Sequence, residues 1–438
     1  MKSDTYTDSG VPVIRGTNLT GGKVLSGEWV YVSEKTADDL SNCCVYPGDL
    51  VFPHRGAIGE VGIVPEQFPR YVMSSSLMTL SCDRSKADAD YVYYFFKSVA
   101  GRHELLKNAS QVGTPGIGQP LSTLRSIEVP LPPPSSQVII AKILGDLDLR
   151  IDLNRRINQT LEAMAQAIFK SWFIDFDPVK AKIAAKQEGR DLLRAGMSAI
   201  SGKPDAELDA LPPEQYDQLA ATAAMFPDEM DESELGAIPK WWAPAALSTV
   251  CELDASSWSA KTLPASVKYV DLANTKNGEI IEVQVIEGSN IPSRARRILE
   301  PGDTIVGTVR PGNRSFALVG EAGLTGSTGF ATLHPEKDFL REYVYLAATS
   351  DANIEHLAHL ADGGAYPAVR PELVVSSLLP IPDEILLREF HRVSSHMFDQ
   401  VLANRKTNQK LSELRDTLLP KLISGELSVT ETTAEAEA

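Results

Sequence analysis

From Ile140 the apolar positions of the chain fall at 140, 144, 147 and 151, pass through Asn154 and Asn158, and resume at 161, 165, 168 and 172. Alternating steps of four and three, held for over four heptads, mark a coiled-coil seam more than an ordinary surface helix. A second seam runs through Leu386, Phe390, Val393, Met397, Gln400 and Asn404, then Thr407 or Asn408, Leu411 and Leu418. The spacing predicts helices over 137–172 and 384–419, each of about 36 residues and roughly 54 Å. Two such helices in one chain pair most economically antiparallel, with the globular regions at opposite ends.

Outside the seams, within each globular region, the periodicity changes to strand-like runs, V-P-V-I (11–14), D-L-V-F (49–52), Y-V-D-L (269–272) and I-I-E-V-Q-V-I (280–286), bounded by Gly, Pro and Asn turns. Helical runs interrupt them near Ala89–Leu106 and Phe339–Leu360. The fold class is therefore α+β, two globular regions alternating with two long helices.

The chain also repeats itself. N-R-R-I-N-Q-T-L (154–161) returns as N-R-K-T-N-Q-K-L (404–411), and S-I-E-V-P-L-P (126–132) as S-S-L-L-P-I-P (376–382), both at an offset of 250. Y-V-Y (91–93) aligns with 343–345 and G-D-L-V (48–51) with G-D-T-I (302–305), the offset drifting to 252 and 254 as loops differ. Four matches in one order make the chain two copies of a unit, each a globular region followed by a helix.

Each globular region ends in a proline cluster, after which Ser135 or Ser136 is placed to cap the first helix, and Asp383 and Glu384 suit the positive end of the second. The seam residues Asn154, Asn158, Asn404 and Asn408 are polar where apolar ones are wanted. Their symmetric duplication favours amides bonding across the pair to fix register over tolerated seam polarity.

The boundaries that follow are a first globular region 1–134, a helix 135–182, a linker 183–238, a second globular region 239–382, a helix 383–424 and a disordered acidic tail 425–438. The linker is Ala-, Glu- and Asp-rich with four prolines, and reads as partly helical filler. The second region opens with P-K-W-W-A-P-A-A-L-S-T-V (239–250), some thirty residues before Tyr269, whereas Val13 and Ile14 already stand where Tyr269 and Val270 stand. An opening segment of the first region is thus expected to be missing or to lie upstream.

Composition narrows the function. The 438 residues carry 42 Lys and Arg against 58 Asp and Glu, a net −16, which speaks against a nucleic-acid partner. Residues 181–240 and 425–438 hold −10 of that, leaving a mildly acidic remainder that does not exclude DNA. No apolar run approaches the ~18 residues of a spanning helix, and the start lacks a signal peptide, so no membrane partner and a cytoplasmic location are expected.

Catalytic motifs are missing as well. Cys43, Cys44, Cys82 and Cys251 make no metal spacing, and His356 with His359, the only close histidine pair, lacks ligand company. No phosphate loop, dinucleotide-binding glycine motif or Asn/Asp-Pro-Pro-aromatic run occurs. No catalytic residue and no metal site is assigned, and the chain is not expected to be an enzyme.

The alternation of domains and helices, with the closing motifs A-I-F-K-S-W-F-I-D-F-D-P-V-K-A-K (167–182) and L-R-D-T-L-L-P-K-L-I-S-G-E-L (414–427), resembles the specificity subunit of type I restriction-modification systems. The resemblance implies a non-catalytic reader of double-stranded DNA. Two target-recognition domains would each bind one half of a split sequence, the helices acting as a ruler, and two methyltransferase subunits would dock. Motor-nuclease subunits, two per complex, would add restriction. The resemblance implies no cofactor in this chain, with S-adenosylmethionine, ATP and Mg on the partner subunits.

Base contacts would come from Arg, Asn, Gln and Thr on loops, since arginine grips guanine bidentately and the amides do so with adenine. In the first region the candidates are Arg15, Asn18, Arg55, Gln111, Thr114 and Gln119; in the second, Asn274, Lys276, Arg310, Asn313, Arg314, Tyr366 and Arg370. Arg294, Arg296 and Arg297, from R-A-R-R, suit a phosphate clamp. The crowded helix ends, Phe169, Trp172 and Phe173 with Leu418, Leu419 and Leu422, are expected to meet the methyltransferase subunits. Recognition domains separated by about one and a half turns of B-DNA would read an asymmetric bipartite target. The rival reading is a coiled-coil scaffold holding two protein-binding domains and touching no DNA.

Overall fold

The computed structural model describes residues 5–110, 115–361 and 367–429. It divides into two compact units, Met1–Arg155 with Arg405–Ala438, and Arg156–Asn404. Each long helix, Pro134–Phe173 and Glu384–Ser424, contributes one half to each unit. The fold is the α+β class the periodicity predicts, and both helices are several residues longer than the seams suggest.

In the first unit seven strands build the two main sheets: β1 (Val11–Ile14), β2 (Val30–Val32), β3 (Cys44–Val45), β4 (Leu50–Pro53), β5 (Gly62–Ile63), β6 (Tyr71–Met73) and β7 (Leu77–Leu80). One sheet has the order β2-β1-β6-β3, with β1 and β6 parallel and the other pairs antiparallel. The other is antiparallel with the order β5-β4-β7.

The predicted helical run is two helices, α1 (Ala89–Lys97) and α2 (Val99–Leu106). Ser98 separates them because its hydroxyl accepts from the Gly101 amide and caps the second. Only glycine fits at 101, where a Cβ would lie 2.1 Å from the Phe95 carbonyl oxygen. Tyr91 to Phe96 are all buried, packed with Leu50 and Phe52 of β4, Ile140 and Leu144 of the first long helix, and Leu419, Leu422 and Ile423 of the second.

The first long helix starts at Pro134, ahead of the serines expected to cap it. Proline is tolerated in a first turn, where its missing N–H would have no partner. Gln137, fully buried, anchors this end instead, accepting from the Asp88 amide at 2.8 Å and donating to the carbonyls of Lys86 and Pro132. Asp383 does cap the second helix, accepting from the Leu386 amide at 3.0 Å.

In the second unit the segment after the first long helix is more than filler. It forms α3 (Asp177–Glu188), α4 (Leu192–Ser201), α5 (Asp205–Leu208) and α6 (Pro213–Ala224), then a hairpin of Met230–Ser233 with Gly236–Pro239. Met197, Leu208 and Ala223 give it a small core, and Phe226 packs on Trp172 with ring centroids 5.2 Å apart. Lys182 is buried and donates to the Phe226 carbonyl, and burial holds its ammonium below the usual lysine range.

Eight strands follow in the main sheets: β8 (Cys251–Leu253), β9 (Ser266–Val270), β10 (Gln284–Glu287), β11 (Ala295–Leu299), β12 (Thr304–Gly307), β13 (Phe316–Leu318), β14 (Leu324–Ser327) and β15 (Phe330–Pro335). The order β10-β9-β14-β11, with β9 and β14 parallel, reproduces the first four-stranded sheet. The order β13-β12-β15 reproduces β5-β4-β7, and β8 adds a fourth strand beside β15. Among the described residues β7 has no such neighbour.

The helical run here is again two helices, α7 (Arg341–Thr349) and α8 (Asp351–Ala361), broken at Ser350, whose hydroxyl accepts from the Asn353 amide at 3.3 Å. Ala243–Ala246 pairs with Leu378–Ile381 and ties the two ends of the domain together.

Within each unit the long helices run antiparallel. In the first, Asp148 pairs with Arg415 at 2.8 Å and the Asn154 amide donates to Asn408 at 2.8 Å. In the second, Asn404 donates to the Asn158 carbonyl oxygen at 2.8 Å, and Trp172 and Phe173 pack on Phe390. The amides also reach backbone across the pair, Asn158 to Val401 and Asn408 to Ile151, each at 3.3 Å.

Candidate nucleic-acid interface

The same strand ends converge in both copies. After β1 the chain turns at Arg15, after β4 at Arg55, and the turn Ser74–Ser76 joins them. The Ser74 amide donates to Ile14 O at 2.9 Å and the His54 amide to Ser76 O at 3.0 Å. In the second copy the loop after β12 meets the turn after β14 the same way, both the amide and the hydroxyl of Thr308 donating to Gly329 O at 2.8 Å.

A second bridge is also shared. His54 O accepts from Ile117 N and Gly56 N donates to Pro115 O; Thr308 O accepts from Val369 N and Arg310 N donates to Pro367 O. This makes Gly56 the counterpart of Arg310, and Arg55 that of Val309. Each copy therefore presents a platform of loops at the ends of its strands, the arrangement by which a rigid scaffold commonly displays binding residues.

The predicted DNA residues separate by what holds them. Arg55, Lys276, Arg310 and Arg370 are exposed, and their side chains have no hydrogen bond or ion pair among the described residues. Asn313 and Gln119 are exposed as well, Gln119 in a left-handed backbone conformation ahead of the short helix Pro120–Arg125. Asn274, half-buried, donates its backbone amide to Asp271 Oδ1 at 3.0 Å in a turn. Gln111, Thr114 and Tyr366 lie outside the described residues.

Others are engaged in the fold. Asn18 is buried, its amide donating to Ser26 O and Glu28 O while its carbonyl oxygen accepts from Arg15 N, so it shapes the loop and cannot reach a base. The Arg15 guanidinium donates to Glu28 O at 3.2 Å. Arg297 pairs with Asp254 at 2.5 Å, both side chains mostly buried, which removes it from the expected phosphate clamp. Burial nevertheless pushes the Asp254 carboxyl up, against the opposing pull of the Thr332 amide and Arg297.

Arg296, half-buried, donates to its neighbour Ala295 O. Arg294 is exposed and bonded to the Tyr269 hydroxyl at 2.9 Å, with Asp271 at 3.6 Å. Arg314 pairs with Asp351 at 2.7 Å and donates to Asn277, clamping the hairpin Thr275–Lys276 with Glu279–Ile280 to the start of α8. Sequence reasoning passed over the turns Ser74–Ser76 and Ser327–Gly329. Their recurrence as S-S-S and S-T-G at matching places was the available signal.

The crowded helix ends are not a docking face. Phe169, Trp172 and Phe173 are buried among Tyr343, Phe390, Phe226 and Trp242, and Leu419 and Leu422 among the aromatics of α1, with Leu418 partly buried beside them. Each unit folds its own domain over the helix end, leaving these side chains unavailable to another subunit.

Residues 1–163 match the family described as the type I restriction modification DNA specificity domain. The chain is 28% identical to the type I restriction enzyme HindI specificity subunit of Haemophilus influenzae, over 93% of this chain and 94% of that one. It is 22% identical to the MjaIX specificity subunit of Methanocaldococcus jannaschii, over 94% and 87%. A solved type I restriction-modification S subunit from M. genitalium shares the fold, with a TM-score of 0.51, 14% identity, and coverage of 98% and 92%. A duplicated α+β domain on two long helices is the class that the fold defines. In its first 163 residues by the family model, and over most of its length by these relatives, the chain is similar to specificity subunits of type I restriction-modification systems.

Proposed function

We propose that this chain is the sequence-specific DNA-recognition subunit of a type I restriction-modification complex, reading a bipartite target and directing adenine methylation by partner subunits. The observation that carries the reading is the duplicated strand-end platform. Each copy holds at least one exposed arginine with no hydrogen bond or ion pair among the described residues, Arg55 in one and Arg310 with Arg370 in the other. Arginine in that state suits a guanine edge or a phosphate. The two platforms differ in their loops, so the two half-sites differ.

The chemistry belongs to the partners. Two methyltransferase subunits would supply S-adenosylmethionine and the reacting centre, and motor-nuclease subunits ATP and Mg. This chain binds and positions, and works with its DNA in the cytoplasm. No helix of the described residues is long and apolar enough to cross a membrane. Since the helix ends are buried, docking of partners falls to other surfaces of the helices.

Co-expression with the neighbouring methyltransferase in a methylation-free host, followed by single-molecule sequencing of methylated adenines, tests the proposal. A split motif with one methylated adenine in each half is the expected result. An intact complex that modifies no defined sequence would refute it.

A further inference from the structure

At the structurally equivalent position of the two platforms, the first copy has Gly56 with φ +83° and the second has Arg310 with φ +47°. Both are left-handed, and both are held by an amide bond to the opposite loop, to Pro115 O and Pro367 O at 3.0 and 2.9 Å. Glycine takes this conformation without strain; a residue bearing a Cβ pays about 1–2 kcal/mol. The second copy carries that strain at an exposed residue whose side chain has no hydrogen bond or ion pair among the described residues.

The neighbouring arginine differs in this respect. Arg314, at the other end of the Pro311–Asn313 turn and also left-handed, uses its guanidinium to hold Asp351 and Asn277. Its strain has a structural return within the domain. Arg310 has none among the described residues, and its turn is constrained: Pro311 follows directly, and Arg310 O accepts from Asn313 N at 2.8 Å.

In the first copy the exposed arginine of this loop, without a side-chain partner among the described residues, is Arg55, one residue earlier, where the second copy has Val309. Arg55 faces Gly116 and Val309 faces Ala368 in matching antiparallel bridges. The two copies therefore present their arginine one residue apart, in the bridge in the first copy and just after it in the second.

We infer that Arg310 is the base-reading side chain of the second platform, gripping a guanine through O6 and N7, and that Arg55 takes the corresponding role in the first, one residue earlier on the loop. This rests on the DNA-reading function proposed above. A strained backbone with an unpaired side chain is what a preorganised contact looks like before its ligand arrives. The shift by one residue makes the two half-sites differ in where their guanine stands.

The test uses the full chain co-assembled with its methyltransferase subunits, comparing wild type with R310G, R310A and R55A by methylome sequencing. R310G relieves the strain and keeps the turn, so a folding defect cannot explain its effect. Loss of discrimination at one base pair is expected, in one half of the motif only for R310G and R310A, and in the other half only for R55A. Methylation of the cognate site at limiting enzyme should fall about 10- to 100-fold. If the wild-type complex yields a split motif and R310G yields the same motif at the same rate, this inference fails while the DNA-reading function stands. If the wild-type complex yields no motif, both fail.

Discussion

Replacing Asn404 with alanine tests the role of the seam amides where their bonds are best defined. Asn404 is buried, donates to the Asn158 carbonyl oxygen at 2.8 Å and accepts from Gln400 Nε2 at 2.8 Å. N404A removes both bonds and leaves the Asn158 oxygen in a buried seam without a donor, while Asn158 keeps its 3.3 Å bond to Val401 O. A net bond contributes about 1 kcal/mol and a stranded buried acceptor costs about 1–3 kcal/mol, so local stability should fall by about 2–3 kcal/mol.

Native-state hydrogen exchange of the helix amides flanking residue 158 reads this directly, without requiring that the whole chain unfold in one step. The expected acceleration is about 30- to 150-fold. N158A should cost a similar amount, and the double alanine variant little more than either, giving a coupling of at least about 1 kcal/mol. N158L/N404L should restore exchange to near the wild-type rate, since apolar replacement of both partners strands nothing. Additive single effects, agreeing within about 0.5 kcal/mol, would refute the claim that these amides act as a pair.

Three further outcomes follow from the geometry. W172A should lower the chain's own stability by about 3–5 kcal/mol, visible in the melting of the isolated protein; a residue reserved for a partner subunit would leave that melt unchanged. R297M, which strands the buried Asp254 carboxylate, should cost about 3 kcal/mol, and D254N/R297M should recover much of it. Burial also pushes the Asp303 carboxyl up, against bonds from the Glu300 amide and His334. A raised carboxyl makes the folded state take up its proton first, so stability from this group rises as pH falls through the folded value and levels off once the unfolded carboxyl is protonated too. Denaturant midpoints of wild type should therefore gain on those of D303N between neutral pH and about pH 4.5, and a gap that shrinks would contradict the burial argument.

Much of this architecture is written locally. The heptad steps, the Asn pairs, the strand-like runs and the serine breaks depend on residues a few positions apart, and periodicity reads such relations well. The duplication was legible for the same reason: copied segments keep their short motifs even where loops drift.

What the tertiary structure alone decided are relations between distant residues. The parallel pairing of β1 with β6 and of β9 with β14 joins segments more than fifty residues apart. The burial of Trp172 depends on Phe390 and Phe226 arriving over it, and an apolar helix end looks the same in sequence whether its own domain or another subunit covers it. Among the basic residues, composition cannot tell Arg297, paired with Asp254, from Arg310, which has no partner among the described residues, because the difference lies in which carboxylate the fold brings within reach. Charge and pattern name the candidates; only the packing of the chain determines which of them remain free to bind.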